Sequence, residues 1–251
     1  SPQPNWHEQR ADDWWDALCA TLRSVTSRVD PRRIAAVCIA NQRETFVPVD
    51  TNGHALRNAI LWLDERSRTE VEVLGQRFGH DYLHHLTGKG PSTTQGLSKM
   101  LWLQTHEPDV VRRAFKFVEP HAYLVYHLTG CWTTSAACAD PMGIVDMRRG
   151  DWASDLLQAV GLDTDQFCQL VPPGAIIGEV TPPAAAQTGL IAGTPVVAGA
   201  GDGQAAGLGA NITMPGRAYL NLGTAMVSGA YADHYVADHV ARSHFAPVPG
   251  G

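Results

Sequence analysis

The stretch Val196-Val197-Ala198-Gly199-Ala200-Gly201-Asp202-Gly203-Gln204-Ala205-Ala206-Gly207-Leu208-Gly209-Ala210 decides the fold. A short apolar run suits a buried strand. The chain then turns through Gly199 and Gly201 and continues in small residues that can form a closely packed helix. Asp202 stands where the strand stops and the helix starts. Open α/β sheets place their ligands at the carboxyl ends of strands, so a carboxylate here can meet a substrate. The glycines remove side chains and let another molecule approach the backbone. A helix N-terminus also favours the ionised carboxylate, the form a general base needs. The plainer reading makes Asp202 an N-cap, a position that Asp favours, and the stretch alone leans to the cap.

Outward from this stretch, helices and strands alternate, which implies an α/β protein. Asp12 or Asp13 can cap a helix carrying Trp14, Leu18, Leu22, Val25 and Val29, ended by Pro31. Ile34 to Ala40 reads as a buried strand, Thr45 to Val49 as its continuation and Asn58 to Leu63 as another. Helices are expected over Asp64 to Phe78, Gly96 to His106, Pro120 to Thr129, Ser154 to Val160 and Pro182 to Thr188. Three of them have a glycine stop, at Gly79, Gly130 and Gly189. Phe115 to Val118 and Ile144 to Met147 suit short strands, and Ser1 to Arg10 reads as loop. Beyond the central stretch, Arg217 to Leu222 and Met226 to Tyr231 read as strands around Gly223-Thr224-Ala225.

The bulk composition narrows the partners. A chain of 251 residues can bury a large core. The formal net charge of -6 and the absence of any Lys/Arg-rich run argue against a nucleic-acid partner. No apolar run is long enough to cross a bilayer, and the polar start predicts no signal peptide. The five cysteines form no CxxC pair and are odd in number, so reduced thiols in a cytoplasm are expected. His84-His85 and the pair His234/His239 match no zinc spacing with a supporting ligand set and read as solvated or packed rings.

Four polar clusters interrupt the apolar runs. In Asn41-Gln42-Arg43-Glu44, a guanidinium next to a carboxylate offers paired donors and acceptors to vicinal hydroxyls. Neighbours in a strand point to opposite faces, so both reach one ligand only if the backbone bends there. Otherwise they are a solvated strand end. Asp202 with its glycines is the second cluster. Leu222-Gly223-Thr224-Ala225 is the third: a backbone N–H and a hydroxyl suited to phosphate, or a plain hairpin turn. Trp62, Asp64 and Arg66 form the fourth, which reads equally as a packed Trp before a charged helix.

Taken in order, these segments resemble the FGGY carbohydrate kinases, relatives of glycerol kinase and xylulokinase. Trp6-His7-Glu8-Gln9 with Trp14-Trp15 resembles the family's early GWxEQ…WW. Asn41-Gln42-Arg43-Glu44-Thr45 matches the NQRET of glycerol kinases, and Trp62-Leu63-Asp64-Glu65-Arg66 is similar to W-x-D-x-R. Pro120-His121-Ala122-Tyr123-Leu124 with Leu128-Thr129-Gly130 resembles the xylulokinase-type PxDYLxxxLTG. Gly199-Ala200-Gly201-Asp202-Gly203-Gln204 matches GxGDxQ, and Leu222-Gly223-Thr224 is similar to LGTS.

The resemblance implies an α/β fold of the actin/hexokinase (ribonuclease H-like) type. A first, substrate-side domain spans 1-211 and lacks its first strand, and a second, nucleotide domain is only begun over 212-251. It implies ATP-dependent phosphorylation of a sugar or polyol, xylulose- or glycerol-like, with ATP and Mg²⁺ as cofactors. Asp202 becomes the base and the carboxylate that meets the metal. Gln42, Arg43, Glu44, Asp202 and Gln204 become substrate-binding residues, and Gly223 and Thr224 face the nucleotide phosphates. The alternative is a sugar- or polyol-binding module without turnover. Homo-oligomerisation is left open.

Several segments depart from the family pattern. No Asp-x-Gly-Thr strand precedes Ser1, and the adenosine-binding half is absent before Gly250-Gly251, so the chain reads as an internal piece that is inactive alone. Ala225 replaces the usual Ser, His121-Ala122 stands where the related motif has an Asp, and Thr133 to Pro141 lacks the glycerol-kinase Asn-x-Ser-Arg-Thr. NQRET leans to glycerol, whereas Pro120 to Gly130 and the missing Asn-x-Ser-Arg-Thr lean to a ketopentose.

Overall fold

The computed structural model describes residues 3–222, 226–238 and 241–247. Its centre is the strand of the deciding stretch. In chain order the elements are β1 (Glu8–Gln9), α1 (Ala11–Thr26), β2 (Val37–Asn41), β3 (Val47–Val49), β4 (Ala59–Ile60), α2 (Arg68–Phe78), α3 (His80–Thr87), α4 (Gly96–His106) and α5 (Pro108–Arg113). Then follow β5 (Lys116–Val118), α6 (Pro120–Thr129), β6 (Thr133–Ser135), α7 (Ala136–Ala139), β7 (Val145–Asp146), β8 (Asp151–Trp152), α8 (Ser154–Ala159), β9 (Gln169–Val171) and β10 (Ile176–Glu179). The last are α9 (Pro182–Thr188), β11 (Pro195–Gly201), α10 (Asp202–Gly209), β12 (Ala218–Leu222) and β13 (Met226–Ala230).

Strand β11 lies between β10, antiparallel, and β2, parallel, with Val196 opposite Val37 and Gly201 opposite Asn41. That parallel register brings the ends of two polar-tipped strands to one edge of the sheet. A Cβ on Gly199 would lie 1.9 Å from the Ile39 carbonyl oxygen, so only glycine permits this approach. The surrounding core is apolar: Val196, Ala198, Ile39, Val47, Val118, Val125 and Leu128, with Trp14, Trp15, Leu18 and Leu22 of α1 packed against it. A second core holds Phe46, Ile60, Leu74, Met100, Leu103, Phe117 and Leu157 under α2, α4 and α8. The ladder of β3 on β5, Val47 opposite Val118, joins the two.

Local chemistry explains most boundaries. Helix α6 begins at Pro120, with the Glu119 side chain accepting from Ala122 N–H at 3.2 Å, and ends on Gly130 at φ 76°. Helix α9 repeats the device with Thr181 and Gly189. Several expectations shift. Asp12 and Asp13 sit in the first turn of α1 behind Arg10 at the cap position, where they suit the positive helix end. That helix ends at Thr26, and Pro31 instead opens a 3-10 turn capped by Asp30. The helix expected from Asp64 starts at Arg68, because the Asp64 carboxylate turns back to Arg66 and the His7 N–H. The expected strand Asn58 to Leu63 shortens to β4, and its N-terminal partner β1 forms within the expected loop. Helix α3 and the parallel pair β6–β9 carry no expectation at all.

The hairpin β12–β13 pairs Leu222 with Met226, and Gly223, Thr224 and Ala225 lie outside the described residues, as do His239 and Gly250-Gly251. Among the described residues no helix is long and apolar enough to cross a membrane.

Candidate active site

The site assembles where β2 and β11 end together. Past Asn41 the chain leaves the β2 ladder, and Glu44 adopts φ 53°, in the left-handed region. This is the bend that lets neighbouring side chains face one place. Such a backbone is uncommon for a non-glycine residue and is a frequent feature of ligand sites.

Across from it, α10 starts directly after β11. The N-cap is Gly201, so Asp202 is the first helical residue and not the cap. Its Oδ1 accepts from the Gly203 N–H at 2.8 Å and lies 3.7 Å from Arg43 Nε. The Asp202 side chain is 70% exposed, against 19% for Arg43. An exposed carboxylate at a helix N-terminus beside a held guanidinium can accept a proton from a bound hydroxyl. Gly201 makes room for the arginine, since a Cβ there would stand 2.3 Å from Arg43 Cδ.

Glu44 is buried, and its Oε1 pairs with Arg242 Nη2. Gln204 donates from Nε2 to the Ala137 carbonyl at 2.9 Å and to the Phe245 carbonyl at 3.3 Å. Its Oε1 is buried with no partner among the described residues. The structure thus gathers Arg43, Asp202 and Gln204 at this sheet edge, with Glu44 on the adjoining bend. Gln42 is drawn elsewhere: its Nε2 donates to Gln9 Oε1 at 3.0 Å, and Gln9 also accepts from the Trp14 indole. Gly223 and Thr224, expected at the nucleotide, are outside the described residues.

Sequence reasoning passed over five further ionisable groups here. Lys99, on α4, donates to the carbonyls of Leu61, Thr94 and Glu44 at 2.7, 2.8 and 3.3 Å. It thereby ties the Glu44 bend to two other segments, while burial pulls its pKa down to about 7. Lys89 lies 3.8 Å from Asp140, both without exposed side-chain surface, and burial lowers the lysine to about 8. Burial alone would raise Asp140, but Lys89, His244 and the Phe245 N–H together hold it below the ordinary carboxylate value. Arg242 and His244 arrive on residues 241–247, which run over this edge and anchor through the Ser243 N–H to the Gly88 carbonyl. Nothing local in the sequence marks these groups, because their burial and mutual contacts arise only in the fold.

The fourth cluster joins the Glu44-Thr45 bend through the Trp62 N–H, which donates to Thr45 Oγ1 at 3.1 Å, and through Lys99, which holds the carbonyls of both Leu61 and Glu44. Arg66 donates to Asp64 and to Glu8, and of Trp62, Asp64 and Arg66 only Trp62 is exposed. Among the described residues no group of three or more His, Cys, Asp or Glu side chains is arranged to hold a metal ion.

Similarity to known proteins agrees with this geometry. The profile of the "FGGY family of carbohydrate kinases, N-terminal domain" matches residues 1–209. The xylulose kinase of Bacillus subtilis is 29% identical over 242 residues, 96% of this chain and 48% of that one. The xylulose kinase of Streptomyces rubiginosus is 34% identical over 229 residues, 90% and 46% respectively. The crystal structure of xylulose kinase from Rhodospirillum rubrum superposes with a TM-score of 0.96 at 28% identity, covering 100% of this chain and 52% of that one. The chain spans about half the length of the curated relatives it matches.

Proposed function

The chain belongs to the FGGY family of carbohydrate kinases, and from that premise we propose that the protein carrying it transfers the terminal phosphoryl group of ATP to a sugar or polyol hydroxyl. The observation that supports this best is Asp202: exposed, at the carboxyl end of β11, at the start of α10, and 3.7 Å from Arg43. Phosphoryl transfer asks little covalent work of a protein. It needs the nucleophile oriented and the phosphate charge neutralised. Asp202 takes the hydroxyl proton. Arg43 and Glu44 hold adjacent hydroxyls, donors from one and acceptors from the other. Gln204, whose buried Oε1 has no partner among the described residues, completes the substrate set, and the nucleotide phosphates are assigned to Gly223 and Thr224.

Mg²⁺ suits this chemistry, because it keeps several waters and binds one or two carboxylates plus substrate phosphates. Asp202 has the exposed carboxylate for that role, and the ion's contribution when bound is to neutralise phosphate charge. The relatives named xylulose kinase favour a ketopentose over glycerol as the substrate. We assign 1-211 to the substrate domain and 212-251 to the start of the nucleotide domain, and five free thiols agree with a cytoplasmic setting.

The test is a panel of ketopentoses, polyols and aldonates with ATP and Mg²⁺ on the full-length protein, read as ADP release. One ketopentose should stand out in kcat/KM, and Asp202→Asn should silence it. Calorimetric sugar binding with no turnover of any panel member would leave a binding module in place of a kinase.

A further inference from the structure

The stretch Thr133 to Pro141, where the sequence departs from the glycerol-kinase pattern, contains a carboxylate that the proposed site residues do not include. Asp140 is wholly buried. Its Oδ2 accepts from the Phe245 N–H at 2.7 Å and lies 3.8 Å from Lys89 Nζ. Its Oδ1 lies 3.4 Å from His244 Nδ1, and the other ring nitrogen, Nε2, is 3.2 Å from Arg43 Nη1.

The neighbours dictate the state of that ring. A guanidinium only donates, so Nε2 is the acceptor, and the proton of the neutral ring lies on Nδ1, facing a carboxylate that only accepts. A second proton would aim an N–H at Arg43. The charged groups that act on the ring are Asp140, Lys89 and Arg43, and burial lowers the His244 pKa to about 4, which keeps the ring neutral.

We infer that Asp140 and His244 are positioning residues for the sugar: through one fixed ring tautomer they hold the Arg43 guanidinium in the orientation that meets the substrate hydroxyls. The inference rests on Arg43 being a hydroxyl-binding residue. The aliphatic stem of Arg43 passes against Gly201, and its Nε faces Asp202. A line of contacts therefore runs from the buried Asp140 through His244 and Arg43 to the exposed Asp202. A free arginine side chain carries about 2 kcal/mol of rotamer entropy. Fixing it in advance removes that cost from the binding step.

The test uses steady-state kinetics of the full-length protein with sugar and ATP varied separately. Asp140→Asn lets the new amide donate to the ring and reverses the tautomer, and His244→Ala cuts the contact. Each should raise the sugar KM about tenfold, the loss of one hydrogen bond to a charged group, with the ATP KM unchanged. The double variant should be no worse than the worse single, because both act through one path. His244→Gln should restore most of the loss, since its amide can donate to Asp140 and accept from Arg43. Nitrogen-15 spectra of the ring should show neutral Nδ1–H over about pH 5 to 8 and Nε2–H in Asp140→Asn. If Arg43→Ala raises the sugar KM while the Asp140 and His244 variants leave it unchanged, the positioning role is overturned and the reading of Arg43 stands. An unchanged sugar KM in Arg43→Ala overturns both. Should Asp140→Asn fail to fold, the His244→Ala and His244→Gln pair decides: a fall in Tm without a KM effect, and no rescue by Gln, overturns the inference.

Discussion

Two clusters of arginine with carboxylates sit in this protein, and they are built for opposite ends. Around Arg66 the side chain is closed off from solvent, and of its guanidinium nitrogens only the buried Nη1 lacks a hydrogen-bond partner among the described residues. Its side chain has no exposed surface, it bonds Asp64 through two nitrogens and reaches Glu8, and its guanidinium stacks 3.9 Å from the Trp6 ring. Glu8 in turn binds Arg57, which also binds Glu107. Around Arg43 one side is left open: the nearest Asp202 oxygen is beyond hydrogen-bond distance, and its side chain is mostly in solvent. Both clusters are polar interruptions of apolar runs, with an arginine two or fewer residues from an acid. What separates them is exposure: the acid beside Arg43 is 70% exposed, and the acid beside Arg66 has no exposed side-chain surface. A buried ion cluster with its partners in place fixes conformation, whereas an open carboxylate beside a positioned cation has capacity left for a ligand.

The largest effect should come from the open cluster. Asp202→Asn keeps the size and one acceptor oxygen, but an amide cannot take a proton at neutral pH. Loss of a general base costs about 10²–10⁴ in rate. The expected outcome is that loss in kcat with sugar affinity and Tm nearly intact, measured by turnover, calorimetry and thermal melts. A variant with near wild-type kcat would erase the contrast, making Asp202 another structural acid.

The closed cluster should respond in the reverse way. Asp64→Asn or Arg66→Met leaves a buried charge without its partner, which costs about 3–5 kcal/mol of stability. Chemical denaturation should show the drop, while the sugar and ATP KM of whatever folds remain near wild type. A strong kinetic effect at unchanged stability would place this cluster in the site.

The unequal legibility of the two clusters follows from the same physics. The β11–α10 junction was readable because the apolar run, the glycines and the small-residue helix are each local signals, and α6 and α9 were readable from Pro and Gly at their ends. Asp202 was readable as a residue of interest, but its cap reading failed on a one-residue offset that only the backbone reveals. Glu44 could be expected to share a ligand with Arg43 only if the chain bent, and the positive φ that supplies the bend leaves no mark in the residue type. Asp140, Lys89, His244 and Arg242 reach the edge over separations of tens to hundreds of residues, so no local spacing joins them. The helix α3 was hidden because Gly79 ends one helix and caps the next.

Acid sharpens the contrast from another side. His121, buried in the His121-Ala122 pair that stands where the related motif carries Asp, accepts the Gly199 N–H on Nε2 at 3.0 Å. Its Nδ1 then donates to Thr134 Oγ1 at 3.1 Å, and Thr134 donates to Glu119. Burial lowers the His121 pKa to about 4. The unfolded ring, with an ordinary value near 6.5, therefore binds its proton first as pH falls. Stability contributed by the neutral ring is complete above about pH 6.5 and is lost as the pH falls through about 4, at most about 3 kcal/mol. His121→Gln should flatten that part of the stability–pH curve. An unchanged curve would mean that the ring does not couple folding to protons there. Asp64 is also held below its ordinary value, because the bonds to Arg66 and His7 outweigh the burial that alone would raise it, so its carboxylate stays ionised through the same window.

The smallest effect tests the open cluster residue by residue. Arg43→Ala and Glu44→Ala each remove one of the two groups that hold adjacent hydroxyls. Losing a partner in a mostly buried pair costs about 1–3 kcal/mol, so the sugar KM should rise at least tenfold, and more for the best substrate than for poor ones. The ATP KM should stay within about twofold on the proposal that the domain begun at 212 holds the nucleotide. Glu44 differs from Arg43 in one respect that the kinetics can resolve. It is buried with Arg242 on its carboxylate and Lys99 on its carbonyl, so Glu44→Ala also strips Arg242 of its counter-ion. Glu44→Gln keeps the bend and an acceptor while removing the charge. If that variant retains the wild-type sugar KM while Glu44→Ala loses it, the carboxylate acts as a hydrogen-bond acceptor and not through charge. If all three variants keep the wild-type sugar KM, Arg43 and Glu44 form a second closed cluster, and the difference between the two regions disappears.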